Sequence, residues 1–342
     1  MPTEQEILNV IRKVVPNSKR YLFDDAAIIA CPRQVRLRRK KNLIVTTDTL
    51  VENTHFTLKT STPEEIGWKA MAVNLSDIAA MGGTPLYALV SLSLPEKFVR
   101  VGLAPTPLLP WIKSLYKGIV DCTKKYKTQI IGGNLARSKE ISITITVIGK
   151  SVVKAGFKPA STRSNARPGD RVFTTGTFGD AAAGYLLMSN VEACHGMPLR
   201  KKLINSHKTP IPQISLGQKI VGTCLKRAPA LMDASDGLAD CLIQISNQSN
   251  VKIIIDENKI PISSNTKKAS QILNRNPVNL ALYGGEDYQL VGTASEIDCK
   301  RLRKIKGIKL IGKVIKGKGA YLKQNTNKLV KLDLKKTYEH FS

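Results

Sequence analysis

LIVTTDTLVENTHF, residues 43–56, decides how the chain is read. Leu43 to Val51 has the β-branched and apolar content of a buried strand. Asp48 nevertheless stands in its middle, where an unpaired charge is costly to bury. A strand that keeps a carboxylate there is expected to end at a site that neutralises it.

Other carboxylates repeat the pattern. Asp24 and Asp25 precede the apolar run AAIIA. TPEEIGWKAMAVNLSDIAAMGG (62–83) predicts a helix, with Thr62 as cap, Pro63 in the first turn and Glu65 completing a capping box. Ile66, Ala70, Val73 and Ala80 share a face with Asp77, while Met71, Leu75 and Ile78 make the helix apolar on other sides too. Asp233 and Asp236, in ALMDASDGLAD (230–240), close another apolar run before a helix that they could equally cap. Several carboxylates converging on hard cations would be satisfied by them, and magnesium is the natural candidate.

Glycine-rich stretches supply a phosphate counterpart. TTGTFGDAAAG (174–184) runs from strand through a tight turn into a helix start that can aim backbone N–H groups at an anion, although a plain turn explains the stretch as well. IIGGNLARS (130–138) and LYGGEDYQL (282–290) put Gly-Gly after apolar residues, where a backbone can approach a ligand closely. Carboxylates with such turns point to phosphoryl transfer from a nucleotide, driven by positioning and charge neutralisation.

The 342 residues exceed one ordinary core and predict two domains, 1–152 and 153–342, in an α+β arrangement of α/β-type layers. Strand-like runs alternate with helices at 63–81 and 108–126 in the first half. The second begins near NARPGDRVFTTG, where Pro168 and Gly169 mark a turn. Thr3 and Glu6 have capping-box spacing for a first helix with Ile7, Ile11 and Val14 inward. No apolar run reaches the roughly 20 residues of a membrane span. The six cysteines form no CxxC pair, which favours reduced thiols in a cytoplasm. A net charge of +27 raises nucleic acid as a partner. The basic runs 33–42 and 300–319 lack interleaved aromatic residues, so a solvated surface is favoured over nucleic-acid contact.

In order along the chain, DDAAI, TTDTLVENTHF, KAMAVNLSDIAAMGG, IIGGN, STRSNARPGD, TGTFGDAAAG, DASDGLADCL, GGEDYQL and the terminal TYEHF resemble the thiamine-monophosphate kinase family, in the superfamily of aminoimidazole ribonucleotide synthetase and selenophosphate synthetase. The resemblance implies transfer of the terminal phosphoryl of ATP onto thiamine monophosphate, giving thiamine diphosphate and ADP with several magnesium ions. It implies no covalent nucleophile. By motif position the metal ligands would be Asp25, Thr46, Thr47, Asp48, Asp77, Asn134, Asp233 and Asp236. ATP would meet Gly133, Asn134, Arg163 and Ser235, and the thiamine phosphate His55, Glu286 and Tyr338. The resemblance also implies a homodimer built by pairing an N-terminal mixed sheet with helices on one face, and a C-terminal α/β sandwich-like domain completing the site.

The chain departs from the family pattern at Asn134, where an aspartate is usual, at Phe23, where a glycine is usual, and at Gln213, where arginine is common. Two other readings follow from the residues: a relative using ATP on another small substrate, and a binding protein with a basic surface. The retained carboxylates argue against the second.

Overall fold

The computed structural model describes residues 27–29, 42–95, 108–151, 162–189, 198–225 and 227–336. The expected first helix and the boundary near residue 152 lie outside the described residues.

Strand β2 (Leu43–Val51) forms over the stretch that its composition predicts, with Ile44, Thr46 and Leu50 turned inward and Thr47 and Thr49 exposed. It belongs to a five-stranded mixed sheet with β1 (Ala27–Ile29), β3 (Gly83–Pro95), β4 (Gln129–Ser138) and β5 (Ser142–Ser151), in the order β1-β2-β5-β3-β4. Only the β3–β4 pair in this sheet is parallel, because helix α2 (Leu108–Tyr126) carries the chain between them. Helix α1 (Pro63–Ala80) and α2 cover one face, where Ile66, Leu75, Trp111 and Leu115 share a core with Ile44, Val90 and Ile145. This is the mixed sheet with helices on one face that the resemblance implied.

A second, seven-stranded sheet runs in the order β12-β11-β8-β10-β6-β9-β7. Its strands are β6 (Arg171–Thr175), β7 (Ala230–Asp233), β8 (Lys252–Asp256), β9 (Leu290–Ala294), β10 (Ile308–Ile315), β11 (Gly319–Lys323) and β12 (Leu329–Lys331). Its helices are α3 (Asp180–Ser189), α4 (Pro198–Lys208), α5 (Ile214–Thr223), α6 (Leu238–Ser249), α7 (Ser264–Ile272), α8 (Pro277–Tyr283) and α9 (Glu296–Leu302). β7 and β9 are buried at every residue, as strands covered on both faces must be. One cover is α6 and α8, through Leu238, Leu242 and Leu282. The other includes α1 and α5, because Leu231, Leu290 and Phe173 join the core of the first sheet. β8, in contrast, alternates between buried and half-buried residues.

Helix α1 is therefore enclosed between two sheets. Its capping box forms as the sequence predicts, with the Glu65 N–H donating to Thr62 Oγ1 at 3.2 Å and the Thr62 N–H donating to Glu65 Oε2 at 2.8 Å. Where α1 crosses α2, each helix presents a glycine to the other's backbone. A Cβ at Gly118 would lie 2.0 Å from the Glu64 carbonyl oxygen, and one at Gly67 2.0 Å from that of Leu115. Backbone cannot swing aside as a side chain does, so the helices would have to separate. Gly118→Ala is expected to lower the unfolding free energy by about 1–3 kcal/mol. The exposed Lys113→Ala on the same helix should stay within about 0.5 kcal/mol, with both measured by denaturant titration.

Candidate active site

The inward face of β2 meets α1 at a polar seam. Thr46 donates its hydroxyl hydrogen to Asp77 Oδ2. One turn back along α1, the fully buried Asn74 accepts from the Asp48 N–H at 3.0 Å and donates to the Ala70 carbonyl at 3.1 Å. Asp48 is half-buried rather than enclosed, and the strand does not end at it as expected but runs on through the buried Leu50 to Val51. Asn74 was missed from sequence. Its signal was available, since an amide inside a helix that is apolar all round needs a partner as much as Asp77 does.

Across α1, Asp233 ends β7 with 3% of its surface exposed. The following turn is laced to the segment 286–289. The Glu286 N–H donates to the Ser235 carbonyl at 2.5 Å, the Tyr288 N–H to Ala234 at 2.9 Å, and the Ala234 N–H to Gln289 at 2.9 Å. Ser235 Oγ donates to Asp236 Oδ2 at 2.7 Å. Glu286 and Tyr288 both adopt left-handed backbone, with φ of 58° and 48°. Two such non-glycine residues so close together are the kind of strain that collects at functional sites. Gly285 and Gly237 let the two turns touch, because a Cβ on either would lie 2.7 Å from a carbonyl oxygen of the other segment.

The buried Tyr288 links the two halves electrostatically. Burial pushes its hydroxyl pKa well up, and the charges of Glu286, Asp48, Asp233 and Asp236 push it further the same way. Those four carboxylates thus share one field. Among the described residues no three acidic, imidazole or thiol side chains close around a single point.

Among these carboxylates, Glu286 joins Lys69 of α1 and His207 of α4. Lys69 Nζ lies 2.5 Å from Glu286 Oε1 and His207 Nδ1 lies 2.6 Å from Oε2. Burial alone would raise the Glu286 pKa, but the Lys69 charge and the His207 hydrogen bond and charge outweigh it and hold the carboxyl at about 2. Lys69 also donates to the His55 carbonyl at 3.3 Å, and the Val51 N–H donates to His55 Nδ1 at 3.1 Å. In a neutral His55 the ring proton therefore sits on Nε2.

The remaining expected residues are dispersed. Asp25 and Tyr338 lie outside the described residues. Arg163 donates from Nη1 to Gln244 Oε1 of α6 at 2.5 Å, and Gln244 in turn donates to Asp240 at 2.8 Å. Asp48 pairs with Ile145, Ile145 with Val90 and Val90 with Gly133. Gly133 is thus three strands, about 14 Å, from Asp48. Asn134 pairs with Ser91 and shares the outer side of the sheet with Thr47, opposite the side to which Thr46 turns. Within one chain, Thr46, Asp48 and Asp77 line the seam, Asp233, Ser235, Asp236 and Glu286 lie together across α1, and His55 is tied to Glu286 through Lys69, whereas the Thr47 and Asn134 side chains face the other side of the sheet.

The turn in TTGTFGDAAAG already holds an anion of the chain's own. Asp287 accepts from the N–H groups of Gly179 at 2.7 Å and Ala181 at 3.1 Å, so those donors are not aimed at an external phosphate. Burial still pushes Asp287 up to about 7 against these bonds. A cavity of about 590 Å³ lies beyond this turn, lined by Thr177, Lys201, Asn205, Gln213, Asp287 and Gln289.

Residues 23–151 match the family model described as AIR synthase related protein, N-terminal domain. The thiamine-monophosphate kinase of Bacillus subtilis (strain 168) is 40% identical over 282 residues, covering 82% of this chain and 79% of that one. The Aquifex aeolicus (strain VF5) protein of the same name is 36% identical over 284 residues, covering 82% and 84%. A solved structure described as AaThiL complexed with AMPPCP and TMP superposes with a TM-score of 0.82 at 32% identity, covering 99% of this chain and 97% of that one. Identity of this extent, carried through both sheets, means that the chain belongs to the thiamine-monophosphate kinase family.

Proposed function

We propose that the chain transfers the terminal phosphoryl group of ATP to thiamine monophosphate, forming thiamine diphosphate and ADP. The observation that carries this reading is the likeness, over nearly the whole chain, to a structure holding AMPPCP and TMP. In that reaction an oxygen of the acceptor phosphate attacks the terminal phosphorus of ATP and the bond to the ADP oxygen breaks, so no side chain need become a nucleophile.

Asp48, Asp77, Asp233 and Asp236, with the Thr46 hydroxyl, form a set of hard oxygen donors, and that chemistry fits magnesium. Magnesium is usually held by one or two carboxylates together with substrate phosphates. Bound there, magnesium would neutralise the charge developing on the phosphoryl oxygens. We assign Asp25, Thr47 and Asn134 to the same set on family resemblance, and Gly133, Asn134, Arg163 and Ser235 to ATP. The chain's own part is positional. Asn74 fixes the β2 backbone at Asp48, and the Thr46 hydroxyl orients Asp77. For the acceptor, His55 offers a donor at Nε2 and Glu286 stays ionised. Tyr338 belongs with them by resemblance.

A second copy of the chain is the expected partner. Among the described residues no helix covers the outer face of the first sheet, and β4 at its edge exposes Ile131 and Leu135 at 51% and 71%. Such an edge invites pairing. No helix among the described residues is long and apolar enough to cross a membrane. Cys122, Cys224 and Cys299 are buried and form no disulfide, which suits a reducing cytoplasm.

The reading is tested with purified protein, ATP, magnesium and thiamine monophosphate. Matched formation of thiamine diphosphate and ADP is expected, and ADP alone would indicate another acceptor. Asp48→Asn should lower kcat by about 100-fold or more while leaving the unfolding midpoint nearly unchanged, and wild-type turnover would remove Asp48 from the site. A carboxyl lowered from 4.5 to about 2 by its partners contributes stability above the ordinary value and loses it as pH falls towards 2. Glu286→Gln is therefore expected to flatten the stability profile between these values, read by denaturant titration at successive pH.

A further inference from the structure

We infer that Lys69 is a positioning residue for the acceptor substrate: from inside α1 its ammonium fixes the Glu286 carboxylate and the His55 turn relative to each other. The inference rests on the kinase reading above. Lys69 is not an ordinary surface cation, since its side chain is 4% exposed while that of Glu286 is 29% exposed. Exposed ion pairs fix little, whereas a buried ammonium stripped of its partner is strongly destabilised. The geometry follows from that constraint. Lys69 takes Oε1 of Glu286 and His207 takes Oε2, so the plane of the carboxylate is set by contacts on both oxygens. Each oxygen keeps a second lone pair that can accept a further hydrogen bond.

The same ammonium donates to the carbonyl of His55. His55 and Glu286 belong to loops of different sheets and are 231 residues apart in sequence (286 − 55), yet both are tied to one side chain. That side chain stands on the helix that carries Asn74 and Asp77. A single rigid element thereby sets the distance between the acceptor contacts and the carboxylates placed around the phosphates. Errors of about 1 Å in such spacing cost on the order of 100-fold in rate.

The test compares wild type, K69M, K69R and E286Q as full chains, measuring kcat and KM for each substrate and thiamine monophosphate binding by calorimetry. K69M is expected to raise KM for thiamine monophosphate about tenfold or more while KM for ATP changes less than about twofold, and K69R should recover part of the loss. An unchanged KM for thiamine monophosphate, or equal rises for both substrates, would overturn the inference. Should K69M fail to fold, K69M/E286Q removes both charges together. It is expected to bind thiamine monophosphate more weakly than E286Q, because the His55 turn also loses its tie, and binding equal to that of E286Q would overturn the role at His55. Wild type that binds no thiamine monophosphate would reject the kinase reading and this inference together. Binding without turnover would reject only the former, leaving the K69M binding comparison decisive.

Discussion

A helix enclosed between two sheets has little water to satisfy the polar groups it carries. α1 lies between two sheets, and Lys69 and Asn74, its polar residues nearest the seam, are 3% and 0% exposed. Each is therefore bound to something specific: Asn74 to the β2 backbone, Lys69 to Glu286 and the His55 carbonyl, and Asp77 to Thr46. Leaving any of them unmatched would cost more than a typical hydrogen bond gains, so these contacts fix where the sheets sit around the helix. The hydrophobic surface of α1 gathers the fold, and its few polar residues set the register of the site.

The first half of this arrangement was legible because its signals are local. β2, α1 and α2 match their expected limits closely: strand composition, a capping box and 3.6-residue periodicity each act within a few residues. α4 and α7 were not anticipated. PLRKKLINSHK buries only Leu203 and His207, and SNTKKASQI buries Thr266, Ala269 and Ser270, so neither carries a strong apolar stripe. β11 and β12 are short strands at the sheet edge, and β12 has no buried residue, which leaves little pattern to read.

The site divides in the same way. Asp48, Asp77, Asp233 and Asp236 stood out because each interrupts or closes apolar sequence; Asp48, Asp233 and Asp236 all act on the buried Tyr288, and Asp77 meets β2 through Thr46. Lys69 and His207 gave no such signal. A lysine in a helix ordinarily reaches water along its stem, and only the second sheet closing over α1 denies it that route. The TTGTFGDAAAG turn shows the converse. Its backbone donors could be read as an anion cradle or as a plain turn, and Asp287, over a hundred residues away in sequence, accepts from them. Local pattern reveals a capacity to bind, and only long-range pairing reveals what uses it.

The free cysteines acquire a use from their placement. Cys122 sits in the core of the first sheet, and Cys224 and Cys299 pack beside the second, each with its thiol pushed up to about 12 by burial. Thiols so seldom ionised resist alkylation while the surrounding structure is closed. Their rates of modification therefore measure how often the shared core opens around each of them, Cys122 reporting from α2 and Cys299 from α9.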